Sequence, residues 1–323
     1  MVTPQLIREL ADGRFHSGES LAHRFGISRT AVWKQVQKIG QIWGLKIHAV
    51  RGKGYQLAEP LDLLDEEIIL KGLDPAVQQL IDALEIHTVL DSTNRYLMEK
   101  ILAGSTERRI CLAEQQTDGQ GRRGRNWFSP FAGNIYLSIS WRFERPPYQL
   151  AGLSLAMGVV ATETLHRAGF EHIGLKWPND LVTDRGKLGG LLLQMNGENE
   201  GPSNVVAGIG INVKMPSAAA QQIDQAWTDL HTLGKPPSRS ELAANLINAG
   251  VQGMALYEKQ GLEPFLSSWR KFDYYRDREV VLLRGDEKIY GRSIGISEDG
   301  ALLLDTGNGV ERFHGGEISL RSR

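Results

Sequence analysis

The chain of 323 residues contains a single cysteine, Cys111, so no internal disulfide can form, and one thiol fits a reducing compartment. Cys111 lies in the apolar run 110–113, where a buried strand position is the better reading than a nucleophile. No apolar run approaches the roughly 18–20 residues of a membrane span. The N-terminus lacks a basic segment followed by an apolar one. The expectation is a cytoplasmic chain with no membrane partner. Zinc-type Cys/His spacing is missing, so no metal held by the protein is expected. Also missing are a Gly-x-x-x-x-Gly-Lys-Ser/Thr phosphate loop, a Gly-x-Ser-x-Gly elbow, and any histidine placed as a general base. Repeats and low-complexity tracts are absent too. Excess charge is scarce at net −1, but unevenly spread: residues 1–60 hold nine Lys/Arg against four Asp/Glu, the remainder 28 against 34. A basic N-terminal module on an acidic body points to two different partners.

What is present is concentrated in Gly119-Gln-Gly-Arg-Arg-Gly-Arg-Asn-Trp127, which packs three glycines, three arginines and a tryptophan into nine residues. Glycines let the backbone bend and aim N–H groups inward. Arg122, Arg123 and Arg125 add planar forks suited to phosphate or carboxylate oxygens. The Gly-x-Gly-x-x-Gly spacing is that of a dinucleotide fingerprint, but a proline, a glycine and a strand-like run (134–143) follow where a helix is required. The dinucleotide reading therefore fails on context, which leaves a loop built to wrap a small polyanion or a solvated basic loop.

Along the chain, Thr3-Pro4 opens a short helix carrying Leu6, Ile7 and Leu10. A second helix, 18–25, is capped by Ser17 and stopped by Gly26; a third, from Arg29 to about Ile39, is capped by Ser28. This is a helix-turn-helix pattern. Val32, Val36 and Ile39 form its core stripe, and Arg29, Thr30, Lys34 and Gln37 face outward, while Trp33 fits either side, with core the better reading. Two short strands joined by Arg51-Gly-Lys53-Gly make a hairpin wing against a DNA backbone. Residues 58–60 read as a linker and 62–84 as helical. The strand-like run 85–90 enters Asp91-Ser92-Thr93-Asn94, which caps a helix ending at Gly104 or presents polar groups to a ligand. An apolar helix is expected over 149–168. Strand-proline-strand follows in 173–182, with Lys176, Asn179 and Asp180 around the break. Lys187 begins a glycine-punctuated strand and either snorkels to the rim or serves as a site charge; Asp180 could hold Mg²⁺ or a ligand N–H. Another such strand is 204–212. Residues 202 and 216–222 read as mobile connections, the second leading to Trp227, helices span about 239–258 and 263–272, and short strands from 279 onward form a small β-barrel. Cations and backbone donors without an evident general base suit nucleotidyl transfer or acyl-adenylate formation.

The arginine loop, Lys176-Trp-Pro-Asn-Asp180, Asp91-Ser-Thr-Asn94, Lys187-Leu-Gly-Gly190 and Gly315-Gly-Glu-Ile-Ser-Leu-Arg321 together resemble biotin–protein ligases. With the N-terminal helix-turn-helix, the whole chain resembles the bifunctional bacterial form, ligase and biotin operon repressor in one. The resemblance implies an α+β multidomain protein. Residues 1–60 would be a winged helix-turn-helix, 61–273 a biotin- and ATP-binding catalytic domain like class II aminoacyl-tRNA synthetase cores with a mixed sheet, and 274–323 an SH3-like barrel. It implies biotin and ATP with Mg²⁺ as reactants, biotinyl-5′-AMP as intermediate, and the biotin carboxyl carrier protein of acetyl-CoA carboxylase as acceptor. Operator DNA, and a homodimer when the adenylate is bound, are the further implied partners. By position, Ser92, Thr93, Asn94, Gln116, Gly119, Gln120, Gly121, Arg122, Lys187 and Gly190 would hold biotin. Arg122, Arg123, Arg125, Trp127, Lys176, Asn179, Asn212, Trp227 and Arg321 would hold ATP and the adenylate. Lys187, Arg122 and Asp180 would be catalytic, and Ser28, Arg29, Thr30, Lys34, Gln37, Arg51 and Lys53 would meet DNA. Gln120 stands where the repressor-type members carry arginine, so retention of the intermediate could differ here. A ligand sensor with a dead ligase domain and a lipoate ligase are the rival readings. The intact Lys187 and arginine loop oppose the first, and Lys187-Leu-Gly-Gly and the doubled arginine oppose the second.

Overall fold

In the N-terminal module, α1 (Thr3–Leu10), α2 (Gly18–Phe25) and α3 (Arg29–Trp43) pack around Leu6, Ile7, Leu10, Leu21, Val32, Val36 and Ile39. The computed structural model describes residues 3–198, 200–217, 222–315 and 318–322, without the side chains of 318, 319, 321 and 322. Ser17 caps α2 by accepting from the Ser20 N–H, and Ser28 caps α3 from the Ala31 N–H. Both satisfy backbone donors that a helix start leaves unpaired. α3 runs past the expected end at Ile39 because Gly40 is tolerated inside it; the stop is Gly44, in the left-handed region at φ 65°. Trp33 is a correction. The buried stripe is filled by Val32, Val36 and Ile39, and Trp33, on the helix flank, is 49% exposed. β1 (Ile47–Val50) and β2 (Gly54–Leu57) form the antiparallel hairpin.

Residues 62–84 are less helical than expected. They contain only α4 (Glu66–Gly72) and α5 (Pro75–Gln78) before β3 (Ala83–His87) begins. Pro75 forces the residue before it out of helical space, and Asp74 sits at ψ 139°. The central sheet then adds α6 (Thr93–Leu102), β4 (Arg109–Ala113), β5 (Asn134–Phe143), α7 (Leu153–Arg167), β6 (Gly174–Lys176), β7 (Asp180–Thr183), β8 (Gly186–Gly197) and β9 (Ser203–Asn212). Strand order is β3-β4-β5-β9-β8-β7-β6, with β3 and β4 parallel and the other pairs antiparallel. Successive side chains of a strand point to opposite faces. Ile135, Leu137 and Ile139 of β5 with Val205, Ala207 and Ile209 of β9 enter the main core, beside α7 and the later α9 (Arg239–Gln260) and α10 (Glu263–Phe272). The opposite face carries Ser138 on β5 and Gly208 and Gly210 on β9, beneath α6. That face holds the site.

α8 (Leu230–Leu233) precedes α9, and β10 (Glu279–Arg284), β11 (Glu287–Ile296), β12 (Leu302–Asp305), β13 (Val310–Phe313) and β14 (Ile318–Ser322) follow α10. These strands pair antiparallel in the order β13-β12-β11-β10-β14. Where a closed barrel was expected, β13 and β14 are sheet edges among the described residues. The sheet docks on the central body, where Trp177 Nε1 donates to the Gly300 carbonyl at 3.1 Å. Among the described residues no helix is long and apolar enough to cross a membrane. The connection expected over 216–222 falls partly on 218–221, outside the described residues.

Contacts among the described residues tie the N-terminal module to the body, including an ion pair of Lys214 with Glu59. Trp43, at the end of α3, stacks on Phe131 with ring centroids 4.1 Å apart and planes inclined by 12°. Beyond the hairpin, the chain at 62–64 is held by Arg239, which is 1% exposed. Arg239 Nη1 donates to Glu114 Oε2 and to the Asp62 carbonyl, each at 2.7 Å, while its Nε and Nη2 donate to the Asn134 carbonyl. Glu114 Oε1 accepts from the Leu64 N–H at 2.6 Å.

Candidate active site

The loop after β4 folds back on itself as a small hairpin. Gly121 N–H donates to the Arg125 carbonyl at 2.7 Å and Trp127 N–H to the Gly119 carbonyl at 2.8 Å. Its tip, 122–124, is a tight turn with Arg123 (φ 61°) and Gly124 (φ 68°) both left-handed. Glycine adopts that conformation freely and Arg123 does so at a cost. Gly119 is a close approach: a Cβ there would stand 2.7 Å from the Trp127 carbonyl and Ser129 Oγ. At the hairpin base Gln116 Oε1 accepts from both the backbone N–H (2.9 Å) and the hydroxyl (3.2 Å) of Thr93. Arg95 grips Asp91 and Asp118 on either side.

From its tip Arg122 reaches across to Asn179, donating from Nη1 to Oδ1 at 3.3 Å. Burial, partly offset by the nearby Asp180 carboxylate, pulls the Arg122 pKa below its ordinary value. On the facing strands Lys187 Nζ lies 2.6 Å from Asp180 Oδ1, with Lys176 Nζ 4.0 Å from the other carboxylate oxygen. Gly190 leaves room for this pair, because a Cβ there would stand 3.3 Å from Lys187 Nζ and 3.4 Å from Asp180 Oδ1. Lys187 Nζ is 5.3 Å from the centroid of the Trp127 ring, within cation–π range.

Two cavities meet at Trp127 and Lys187. The first is lined by Ser92, Thr93, Asn94, Gln116, Asp180 and Gly208 among others. Here Ser138 Oγ lies 2.7 Å from both Thr93 Oγ1 and Asn94 Oδ1, and Asn94 Nδ2 donates to the Leu192 carbonyl at 3.0 Å. The second lies beside Asp118, Gly119, Phe128, Asn212, Met215 and Trp227. Trp127 rests flat over Gly210, and its indole N–H is buried with no hydrogen-bond partner among the described residues. The first compartment offers the amides and hydroxyls of Ser92, Thr93, Asn94 and Gln116, and the second adds the rings of Phe128 and Trp227. A cation sits at their junction, suited to bringing a carboxylate and a phosphate together.

The structure brings the expected biotin and nucleotide residues together with two qualifications. Asn212 donates from Nδ2 to the Thr228 carbonyl at 3.0 Å, so its amide is engaged in holding the segment that leads to Trp227. The side chain of Arg321 lies outside the described residues, although Leu320 on the same strand lines the first cavity. Ser138 and Gly208 escaped the sequence reading. Only sheet register places them under Asn94, and the glycine punctuation of 204–212 was the sole hint. Of the expected DNA-facing residues, Arg29, Thr30, Lys34, Gln37, Arg51 and Lys53 are exposed, with Lys53 Nζ 5.6 Å from the Phe15 ring centroid. The hydroxyl of Ser28 is occupied as the α3 cap.

Fold and site define the class, an acyl-activating ligase. The Biotin/lipoate A/B protein ligase family matches residues 86–212, a biotin protein ligase C-terminal domain matches 277–321, and a helix-turn-helix domain matches 4–56. The chain is similar to the bifunctional ligase/repressor BirA of Salmonella typhimurium, 43% identical over 317 residues that cover 98% of this chain and 97% of the relative. The corresponding Bacillus subtilis protein is 29% identical over 314 residues, covering 96% and 95%. Among solved structures, a biotin protein ligase from Aquifex aeolicus in complex with biotin and ATP aligns with a TM-score of 0.64 at 28% identity, over 75% of this chain and 100% of that one. The chain belongs to the family of bifunctional ligase/repressors, biotin protein ligases that carry an N-terminal helix-turn-helix domain.

Proposed function

We propose that this chain joins biotin and MgATP into biotinyl-5′-AMP and pyrophosphate, then passes the biotinyl group to a lysine of a carboxyl carrier domain. The observation that carries the reading is Lys187 paired with Asp180 at 2.6 Å, at the seam of the two cavities and facing the arginine hairpin. In the first step a biotin carboxylate oxygen bonds to the α-phosphorus and the bond to pyrophosphate breaks. Lys187 and Arg122 offset the charge gathering on those oxygens. In the second, the acceptor amine attacks the carbonyl carbon and the bond to AMP breaks. Asp180, released once Lys187 turns to the ligand, takes the amine proton. A mixed anhydride hydrolyses readily, and the hairpin bearing Gly119, Gln120 and Gly121 is placed to keep water away. Mg²⁺ enters with ATP as part of the substrate. Ser92, Thr93, Asn94 and Gln116 would hold biotin, and Arg123, Arg125, Trp127, Lys176, Asn179, Trp227 and Arg321 the nucleotide.

The division into residues 1–60, 61–273 and 274–323 belongs to the same reading, as does a cytoplasmic setting, which the free, buried Cys111 supports. Residues 1–60 would bind operator DNA as part of a homodimer formed when the adenylate is in place, through Arg29, Thr30, Lys34, Gln37, Arg51 and Lys53. Purified chain with MgATP, biotin and a carrier domain, probed with streptavidin, should show labelling that lipoate does not replace. No labelling, or labelling by lipoate alone, ends the proposal. Removing residues 1–60 should spare labelling and abolish operator binding.

A further inference from the structure

We infer that Trp33 reads a thymine methyl group in the major groove, so that this indole sets sequence preference where the cations beside it set affinity. The inference rests on the operator-binding reading above. Trp33 is 49% exposed on α3, although the helix has a complete buried stripe without it. A large aromatic left in water forfeits the favourable burial it would gain against a partner, and aromatic residues are concentrated in contact surfaces for that reason. Its helical neighbours one turn away are Arg29, Thr30 and Gln37, with Lys34 next in sequence on the adjoining flank, all exposed. The surface around the indole is thus cationic and amide-bearing, within a module of net charge +5, and its charge complement is a polyanion. DNA, with its dense and regular phosphate charge, is the partner this complementarity favours; the basic module of a second copy would repel this one.

Within the groove the residue types divide the work. Arg29 and Lys34 suit phosphates or guanine acceptors, Gln37 suits adenine, and the C5 methyl of thymine is the apolar feature a side chain can recognise. Of the residues on this face, Trp33 alone supplies an apolar surface broad enough to cover it. Burying one methyl is worth about a fourfold change in affinity.

The test uses the full chain with biotin and MgATP, and duplexes it selects from a random-sequence pool. Each thymine is replaced singly by uracil, which removes only the methyl group, and binding is followed by fluorescence anisotropy. At one position in each half-site uracil should weaken wild-type binding by roughly three- to tenfold, and Trp33→Ala should erase that difference. Trp33→Phe should retain part of it. Lys53→Ala, on the wing placed against the DNA backbone, should instead weaken all duplexes alike and lessen the salt dependence. Retained binding of Trp33→Ala to duplex of unselected sequence, with unchanged salt dependence, verifies that the N-terminal module is folded. A uracil pattern identical in wild type and Trp33→Ala overturns the inference. So does a Trp33→Ala chain whose oligomeric state changes in the absence of DNA. If the wild-type chain enriches no sequence at all, the operator-binding reading falls first and this inference with it.

Discussion

Replacing Arg239 by methionine tests the buried ion pair that holds the chain beyond the wing. The substitution keeps volume and helix propensity but removes the donors to Glu114 Oε2, the Asp62 carbonyl and the Asn134 carbonyl. Among the described residues Glu114 then keeps a single partner, the Leu64 N–H, for a carboxylate that is 4% exposed. Breaking one side of such a pair costs about 3–5 kcal/mol, because the remaining charge is stranded in a medium that solvates it poorly. Against a total stability of roughly 5–15 kcal/mol, the variant should unfold at a urea midpoint lower by about 1 M or more. Circular dichroism across a urea series reads this directly. The double variant Arg239→Met/Glu114→Gln should recover about half of the loss, since a neutral amide still accepts from Leu64 without a buried charge. A single-variant loss below about 1 kcal/mol, or a double variant no better than the single, would refute the assignment of this pair as a charge clamp.

Three further outcomes follow from the site and its surroundings. Lys187→Ala should lower biotin-dependent pyrophosphate exchange by about a hundredfold or more with an unchanged urea midpoint, and near-normal exchange would remove Lys187 from the reaction. Gly208→Ala would put a Cβ 2.3 Å from Asn94 Oδ1, so KM for biotin should rise about tenfold while KM for ATP stays; equal shifts in both would show a general distortion. Burial raises the Asp273 carboxyl from 3.8 to about 6. The folded form therefore holds its proton more tightly than the unfolded chain does. The stability this contributes is full below pH 3.8 and is lost as pH rises through about 6. Asp273→Asn should remove that decline from a plot of urea midpoint against pH, and a persistent decline would assign it to another group.

The features legible in the sequence were those written locally. Ser17, Gly26 and Ser28 mark helix ends through their own side chains or backbone freedom, and the alternation in 134–143 marks a two-faced strand. The arginine hairpin was legible because glycine and guanidinium are both unusual at that density. The illegible features depend on partners distant in sequence. Glu114 and Arg239 are 125 residues apart, and Ser138 meets Asn94 across 44. Trp33 failed for a different reason: its apolar character suggested burial, whereas three branched aliphatics had already filled the stripe. In 62–84 helical patterning gave way to the constraint that Pro75 places on Asp74. The resemblance to biotin–protein ligases named the reactants. The structure then showed that some of the expected side chains, like the Asn212 amide, are engaged in holding the fold.

The stack between Trp43 and Phe131 limits how this chain can be taken apart and rebuilt. Phe131 sits four positions past Trp127, so the last turn of α3 leans on the root of the arginine hairpin. A head grafted from another regulator would seat correctly only if it brought its own flat ring to this spot. A body separated from its head would leave Phe131 in water beside the arginine hairpin. The two rings act as a mortise joint, and modular exchange at this boundary has to keep both halves of it.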